Sequence, residues 1–293
     1  MMIKNRFSLL SAIVRRVVPH LVPHLVPSLL LSFALSLAAN PARAQLVTGI
    51  EAGTSAYRSS QQTSAQVFNR DSGTLVGFKT YFGAQRNWEN PGWIVGLDYQ
   101  GGTISHQAQS LLGVTVGSQS KVHLIHLSAK LHVPLTEIAG FSIAAAPRLS
   151  YRAQGRSVIA NPFVSAIKED LSEGAMAVGL SAHTLVNQFG FKASFEVERS
   201  FLSHLNAQFS PAYSEAIFKP SGVWRPQLDI AGWYQWTPRH RFTLQARFDD
   251  LSTARSEPVA VGPTTGVGPS ITALSPGQKV RTSTLNAGWS YHF

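Results

Sequence analysis

From Leu46 onward the chain alternates apolar and polar residues in segments of about ten to fourteen, separated by clusters of Gly, Pro, Asn, Asp or Ser. A period of two is the mark of a β-strand, because successive side chains point to opposite faces. Ile125, Leu127, Ala129 and Leu131 alternate with His126, Ser128, Lys130 and His132; Phe191, Ala193, Phe195 and Val197 alternate with Lys192, Ser194, Glu196 and Glu198. Val95, Leu97 and Tyr99 alternate with Asp98 and Gln100, and Phe242, Leu244, Ala246 and Phe248 with Thr243, Gln245, Arg247 and Asp249. The apolar parity carries almost no charge at mid-strand. No stretch has helical periodicity of comparable strength.

The pattern predicts strands over 47–57, 73–83, 93–103, 120–132, 140–152, 174–186, 189–199, 223–237, 240–251 and 280–293. Strands of soluble sandwiches average ~5–6 residues, whereas a tilted strand needs ~9–11 to cross a bilayer. Mean hydropathy is only +0.02, and no segment after the first 44 residues is apolar enough for a membrane helix. A barrel reconciles those facts, since lipid-facing and interior residues average out. The fold class expected is therefore all-β, an antiparallel transmembrane β-barrel of about ten strands.

Connection lengths give a second signal. Gaps near 58–72, 104–119, 153–173, 200–222 and 252–279 are long, and those near 84–92, 133–139, 187–188 and 238–239 are short. Membrane barrels have short turns at the periplasmic end and long loops at the other, so both termini are expected at the short-turn end. The last gap, from Pro258 to Gly277, is rich in Gly, Pro, Thr and Ser and is expected to be mobile. This topology gathers Phe82, Trp93, Phe141, Phe189, Phe191, Tyr234, Trp236, Phe242, Trp289 and Tyr291 near one edge, as a headgroup-level girdle requires. Tyr99, Tyr151, Trp224 and Phe248 form a sparser set at the other.

Residues 1–44 read differently. Lys4, Arg6, Arg15 and Arg16 precede an apolar run from Leu29 to Ala39 and the small-residue site Ala42-Arg43-Ala44. That order predicts a secretory signal peptide over 1–44, cleaved after Ala44, ahead of a barrel domain over 45–293. A membrane anchor fits worse, because the run is about half the ~20 residues a helix needs and Pro19, Pro23 and Pro27 interrupt its extension. Cleavage would remove five basic residues and no acid, lowering the net charge from +10 to +5. That excess is spread along the chain, which suits acidic lipid better than nucleic acid. Cysteine is absent, which excludes disulfides and thiolate chemistry.

The last nine residues, Leu285 to Phe293, carry apolar side chains at alternate positions and end in Phe. This segment resembles the terminal strand by which bacterial outer-membrane barrels are recognised by their insertion machinery. The resemblance implies a Gram-negative outer-membrane location, with Trp289, Tyr291 and Phe293 as the insertion signal. Outer-membrane lipid and the insertion machinery are then the partners, with an extracellular ligand on the external loops as a further one.

The polar parity predicts the interior lining: Lys79, Asp98, Lys130, Arg148, Lys192, Glu196, Glu198, Asp229 and Arg247, with Arg152, Arg225, Arg241 and Asp249 of the same parity. Mixed signs favour neutralising pairs, since an unpaired confined charge is costly. Ten strands enclose only slightly more space than eight, whose side chains fill the interior. The expected function is therefore a non-catalytic barrel with a structural or surface-interaction role through long external loops. A narrow, porin-like passive channel for small, anion-biased solutes is the alternative.

A lipid A-modifying hydrolase is a third reading. His126 and Ser128 share the inward parity, and Glu196 or Glu198 would orient the histidine. This pair resembles the His-x-Ser of outer-membrane lipid A deacylases, although Ala129 and Lys130 depart from that family. The strand count also resembles the omptin surface proteases, which use paired aspartates and an Asp-His pair. Here Asp249 and Asp250 are adjacent and face opposite ways. His123 and His126 differ in parity and the other histidines are scattered, so no metal, cofactor or catalytic residue is expected.

Overall fold

A computed structural model describes residues 45–62, 67–84, 91–109, 114–162, 164, 166–208, 214–220, 222–266, 270–273, 275 and 277–293. The expected signal peptide lies outside these, as do 85–90 of the first short turn. The described chain forms β1 (Leu46–Gln62), β2 (Val67–Ala84), β3 (Gly92–Gln109), β4 (Thr115–Ile138), β5 (Phe141–Ala145), β6 (Arg148–Val158) and β7 (Ile167–Val186). There follow β8 (Phe189–Gln208), β9 (Ala216–Phe218), β10 (Trp224–Gln235), β11 (His240–Asp250), β12 (Val259–Val261), β13 (Ile271–Ala273) and β14 (Gln278–His292).

Antiparallel pairing runs β1, β2, β3, β4, β6, β7, β8, β10, β11, β14 and returns to β1. The sheet is thus a closed ring of ten positions, which leaves no unpaired long edge. β5 shares its ring position with β6, pairing with β4 on one side and β7 on the other. The break falls at Ala146-Pro147, where proline has no N–H to offer the ladder. Ala146 N donating to Gly179 O and Leu131 N to Pro147 O, both at 2.9 Å, carry the strand across it.

The termini meet at one end, where Val47 pairs with His292 and Phe293 N donates to Leu46 O at 2.9 Å. The tight connections share that end. Ala139-Gly140 links β4 to β5 with φ of 51° and 77°, as a two-residue hairpin turn requires. Asn187-Gln188 links β7 to β8, with Asn187 at φ 56°.

At the other end the strands outrun their hydrophobic pattern. The first three gaps expected to be long loops over 58–72, 104–119 and 153–173 are largely strand: β1 and β2 run to Gln62 and from Val67, β3 and β4 to Gln109 and from Thr115, β6 and β7 to Val158 and from Ile167. β8 extends to Gln208. Above the uncharged belt the outward face of a strand is polar, so the alternation fades while backbone pairing continues. The expected mobile segment also differs: Val259, Ala260 and Val261 pair with Ala273, Thr272 and Ile271. Buried Ala207, Ala216, Phe218 and Val261 pack this hairpin against β8 and β9.

The outward face has a sharply bounded uncharged belt. On β1 it runs Leu46, Thr48, Ile50, Ala52, Thr54 and Ala56, and then Arg58 begins the polar zone. Ten residue steps span ~34 Å along a strand, or ~26 Å along the axis at a tilt of ~40°, against an apolar band of ~25 Å in outer-membrane barrels. Among the described residues no outward side chain within the belt is charged. Its lower border is a run of aromatic contacts: Phe82 with Trp93, Phe189 with Tyr234, Trp236 with Phe242, and Tyr291 with Phe293, at centroid separations of 4.8 to 6.1 Å.

Candidate functional site

The interior is stacked in three levels. Nearest the termini, a cavity of about 280 Å³ is lined by Glu51, Lys79, Tyr81, Lys192, Asp229, Trp233, Arg241, Gln245 and His292 among others. Lys79 Nζ pairs with Glu51 Oε2 at 3.2 Å and donates to Gln245 Oε1 at 3.0 Å. Gln245 in turn donates to Asp229. The Arg241 guanidinium lies 5.1 Å from the Trp233 ring centroid.

The middle level is a lattice of ion pairs. Arg148 reaches Glu196 at 3.2 Å and Glu198 at 3.0 Å, and also donates to Gln227 at 2.7 Å. Arg225 bridges Glu173 at 2.8 Å and Glu198 at 2.7 Å, and Arg152 and Lys130 pair with Glu173 and Glu196. Arg247 holds Asp249 at 2.8 Å and Asp98 at 3.4 Å. Five cations therefore meet five carboxylates, and the level is neutral. Each guanidinium has a fork of fixed donors, which suits it to bridging two acids. The bonds cross the ring: Arg247 on β11 donates to His126 Nδ1 at 3.4 Å on β4, five ring positions away. A pocket of about 40 Å³ remains among Asp98, His126, Arg152, Glu198, Arg225 and Arg247, room for a few waters.

Above it Tyr57, Leu75, Ile104, Val122, Leu124 and Val280 form an apolar cluster inside the ring, with Leu251 against it. Asp71, His106 and Arg156 cap that cluster. His106 Nδ1 donates to Asp71 Oδ1 at 2.8 Å, Arg156 Nε meets Asp71 Oδ2 at 2.9 Å, and Arg156 Nη1 meets Glu169 Oε2 at 2.7 Å. Gln61 Nε2 on β1 donates to Glu169 Oε1 at 3.3 Å on β7, directly across the ring. Asp71 lies above the belt, between outward Arg70 and Ser72. Burial pushes its carboxyl up, but the bond from His106 and the charge of Arg156 hold it below the ordinary carboxylate value.

The nine interior residues named from the sequence thus fall in two levels. Lys79, Lys192 and Asp229 line the lower cavity; Asp98, Lys130, Arg148, Glu196, Glu198 and Arg247 belong to the lattice. Glu51, Glu173, Asp71, His106 and Arg156 were missed, although each continues the inward parity of its strand. Trp289, Tyr291 and Phe293 lie on the outward parity of β14, where the Trp289 ring stacks on His240 at 5.7 Å.

The catalytic pairings raised by the sequence are not assembled. Among the described residues no hydrogen bond joins His126 to Ser128, and His126 faces Arg247 while Glu196 and Glu198 hold arginines. Asp249 is held inside by Arg247, whereas Asp250 Oδ1 accepts from Ser252 N at 2.9 Å. Asp71 and His106 do pair, but both side chains are buried.

No protein-family pattern and no curated protein matches the chain. Among solved structures, the outer membrane protease OmpT from Escherichia coli superposes with a TM-score of 0.56 at 11% identity, covering 85% of this chain and 96% of that one. The translocator domain of the autotransporter NalP from Neisseria meningitidis gives 0.42 at 10% identity, over 84% and 88%. OprG from Pseudomonas aeruginosa gives 0.36 at 10% identity, over 86% and 97%. The closed ten-position ring, the uncharged belt and the likeness to OmpT together make this chain a barrel of the bacterial outer-membrane fold class.

Proposed function

We propose that the protein is a non-conducting, non-catalytic barrel of the bacterial outer membrane, exported by a signal peptide cleaved after Ala44 and inserted through Trp289, Tyr291 and Phe293. Its role is structural or surface-interacting, through the external end. The observation that supports this reading is the neutral middle lattice with an apolar cluster stacked above it, both lying between the lower cavity and the far end of the ring. A pore would need a continuous polar path, and an enzyme would need an accessible nucleophile or base.

Strand extension above the belt changes what the external end offers. It presents paired strands in place of most of the long loops the gaps imply, with the β12–β13 hairpin packed against β8 and β9. A preordered surface loses less entropy on binding a partner than a loop does.

Reconstitution of the purified barrel in planar bilayers tests the reading. The expected result is no unitary conductance at moderate voltage, and none for Glu51→Gln in the open lower cavity. Steady anion-selective conductance from the unmodified protein would overturn it in favour of the channel. Edman sequencing of membrane-extracted protein tests export, with Gln45 expected first.

A further inference from the structure

Four outward cations at the external end take no part in closing the interior. Above the belt, β14 presents Lys279 and Arg281, β1 presents Arg58 and Ser60, and β2 presents Arg70 and Ser72, all on the outward parity. Strand register lines them up in two adjacent rows. Arg281 pairs with Arg58, which pairs with Ser72; Lys279 pairs with Ser60, which pairs with Arg70. With strands ~4.8 Å apart and next-nearest residues ~7 Å apart, the four charges originate within ~12 Å of one another.

All four are exposed, and the ion pairs among the described residues do not include them. The single acid beside them is Asp250, the register partner of Arg281, and its Oδ1 accepts from Ser252. Other outward cations of the rim are engaged or isolated: Lys168 pairs with Asp170 at 3.1 Å, and Arg199 lies 5.3 Å from the Trp224 ring. Like charges in adjacent register repel, so an unneutralised cluster of this kind calls for an anion from outside the chain.

Position identifies the anion. Directly below the cluster on the same face are Ala56, Thr74 and Ser283, then Thr54, Val76 and Leu285, the top of the uncharged belt. The cations therefore sit where headgroups meet acyl chains. We propose that Arg58, Arg70, Lys279 and Arg281 bind the phosphates of a phosphorylated lipid headgroup in the outer leaflet, whose acyl chains lie along the belt on β14, β1 and β2. The site rests on the membrane placement of the barrel and is independent of whether the interior conducts. Guanidinium forks match phosphate oxygens in pairs, which a zwitterionic headgroup's own cation would oppose.

Native mass spectrometry of the detergent-solubilised mature barrel tests this, with bis-phosphorylated lipid A, phosphatidylcholine and inorganic phosphate as probes. Lipid A should remain bound in preference to phosphatidylcholine. At ~1 kcal/mol per basic residue near a lipid surface, the double change Arg58→Gln with Arg281→Gln should weaken lipid A binding ~30-fold. Arg70→Gln with Lys279→Gln should do the same, while Lys168→Gln leaves binding unchanged. Heat-modifiable gel migration checks that every variant is folded. Equal lipid A retention by folded double variants and the parent, or equal retention of phosphatidylcholine, overturns the proposal. Displacement by millimolar inorganic phosphate as effective as by lipid A would mean a free-anion site and would also overturn it. Failure of the barrel to sediment with vesicles of any composition would instead remove the membrane placement itself.

Discussion

Leu244 and Gln245 are neighbours on β11 whose side chains belong to opposite faces, and placing arginine at each in turn isolates what the outer face touches. Leu244 is 57% exposed and pairs with Ala287, midway along the outward belt of β14 between Ser283 and Tyr291. An arginine facing lipid at the midplane costs ~2–4 kcal/mol. Leu244→Arg should therefore lower the folding equilibrium in lipid vesicles by ~30- to 700-fold. Phe248 has the same parity but lies one step below outward Asp250, at the top of the belt. There the cost of arginine falls to ~0–1 kcal/mol. Gln245 lines the lower cavity, accepts from Lys79 and donates to Asp229, so Gln245→Arg exchanges the Lys79 bond for a charge pair with Asp229 and should cost far less than Leu244→Arg. Urea titration of barrels folded into phosphatidylcholine vesicles, followed by tryptophan emission, measures all three. The ordering Leu244→Arg far below Phe248→Arg and Gln245→Arg is the expected result. Equal tolerance at 244 and 245 would refute a lipid-facing belt, and a reversed order would mean that the register is inverted.

Arg225→Met strips Glu173 and Glu198 of the cation they share, and breaking a buried pair from one side costs up to ~3–5 kcal/mol; denaturant unfolding should show a loss, with partial recovery on adding Glu198→Gln, since Arg148 keeps Glu196. A Cβ at Gly190 would lie 2.0 Å from Trp233 Cε2, so Gly190→Ala should displace that indole, cost ~1–3 kcal/mol and shift its fluorescence. Because Asp71 titrates below its unfolded value of ~3.9, its contribution to stability is present above that value and lost as the pH falls through the lower folded pKa. Hydrogen exchange at the external ends of β2 and β3 should rise with acid, and Asp71→Asn should flatten that dependence. Deleting Phe293 should reduce assembly in cells far more than deleting Thr265, and equal assembly would refute a terminal recognition signal.

Ten ring positions were legible because inside the belt the two faces meet different solvents. Leu97 and Leu127 face one and Asp98 and His126 the other, so the period of two is written in polarity. Farther out, past the apolar cluster, that contrast vanishes. Ser105 and Gln107 face outward and His106 inward, and nothing in their polarity separates them. The extensions of β1 to β4, β6, β7 and β8 therefore read as loops. The interior was legible by parity but not by partner, since Arg225 joins acids from β7 and β8 and Arg156 joins acids from β2 and β7. Those pairings depend on strand stagger, which no alternation pattern encodes. The Asp71 and His106 pair was invisible for the same reason, its members lying 35 residues apart on strands joined only by register.

The same alternation explains why the interior is ionic in the middle and apolar above. A strand crossing lipid needs its outward residues apolar, and a chain that made both faces apolar would read as a continuous hydrophobic run. Polar residues inside the belt keep the two faces distinct, and in so narrow a ring they must then satisfy one another. The five-to-five lattice does that with bridging arginines. From the top of the belt upward the outward face turns polar, so the interior is free to be apolar, and Tyr57, Leu75, Ile104 and Val122 pack there as in a soluble protein. The closure at that height is stabilised by ordinary burial and does not depend on lipid. It follows that the external half should stay ordered in mild detergent even when the belt is poorly covered. Limited proteolysis of such samples should cut the tight turns at the end that holds the termini before the strand extensions, and early cleavage within β3 or β4 above Lys121 would contradict an independently packed far half.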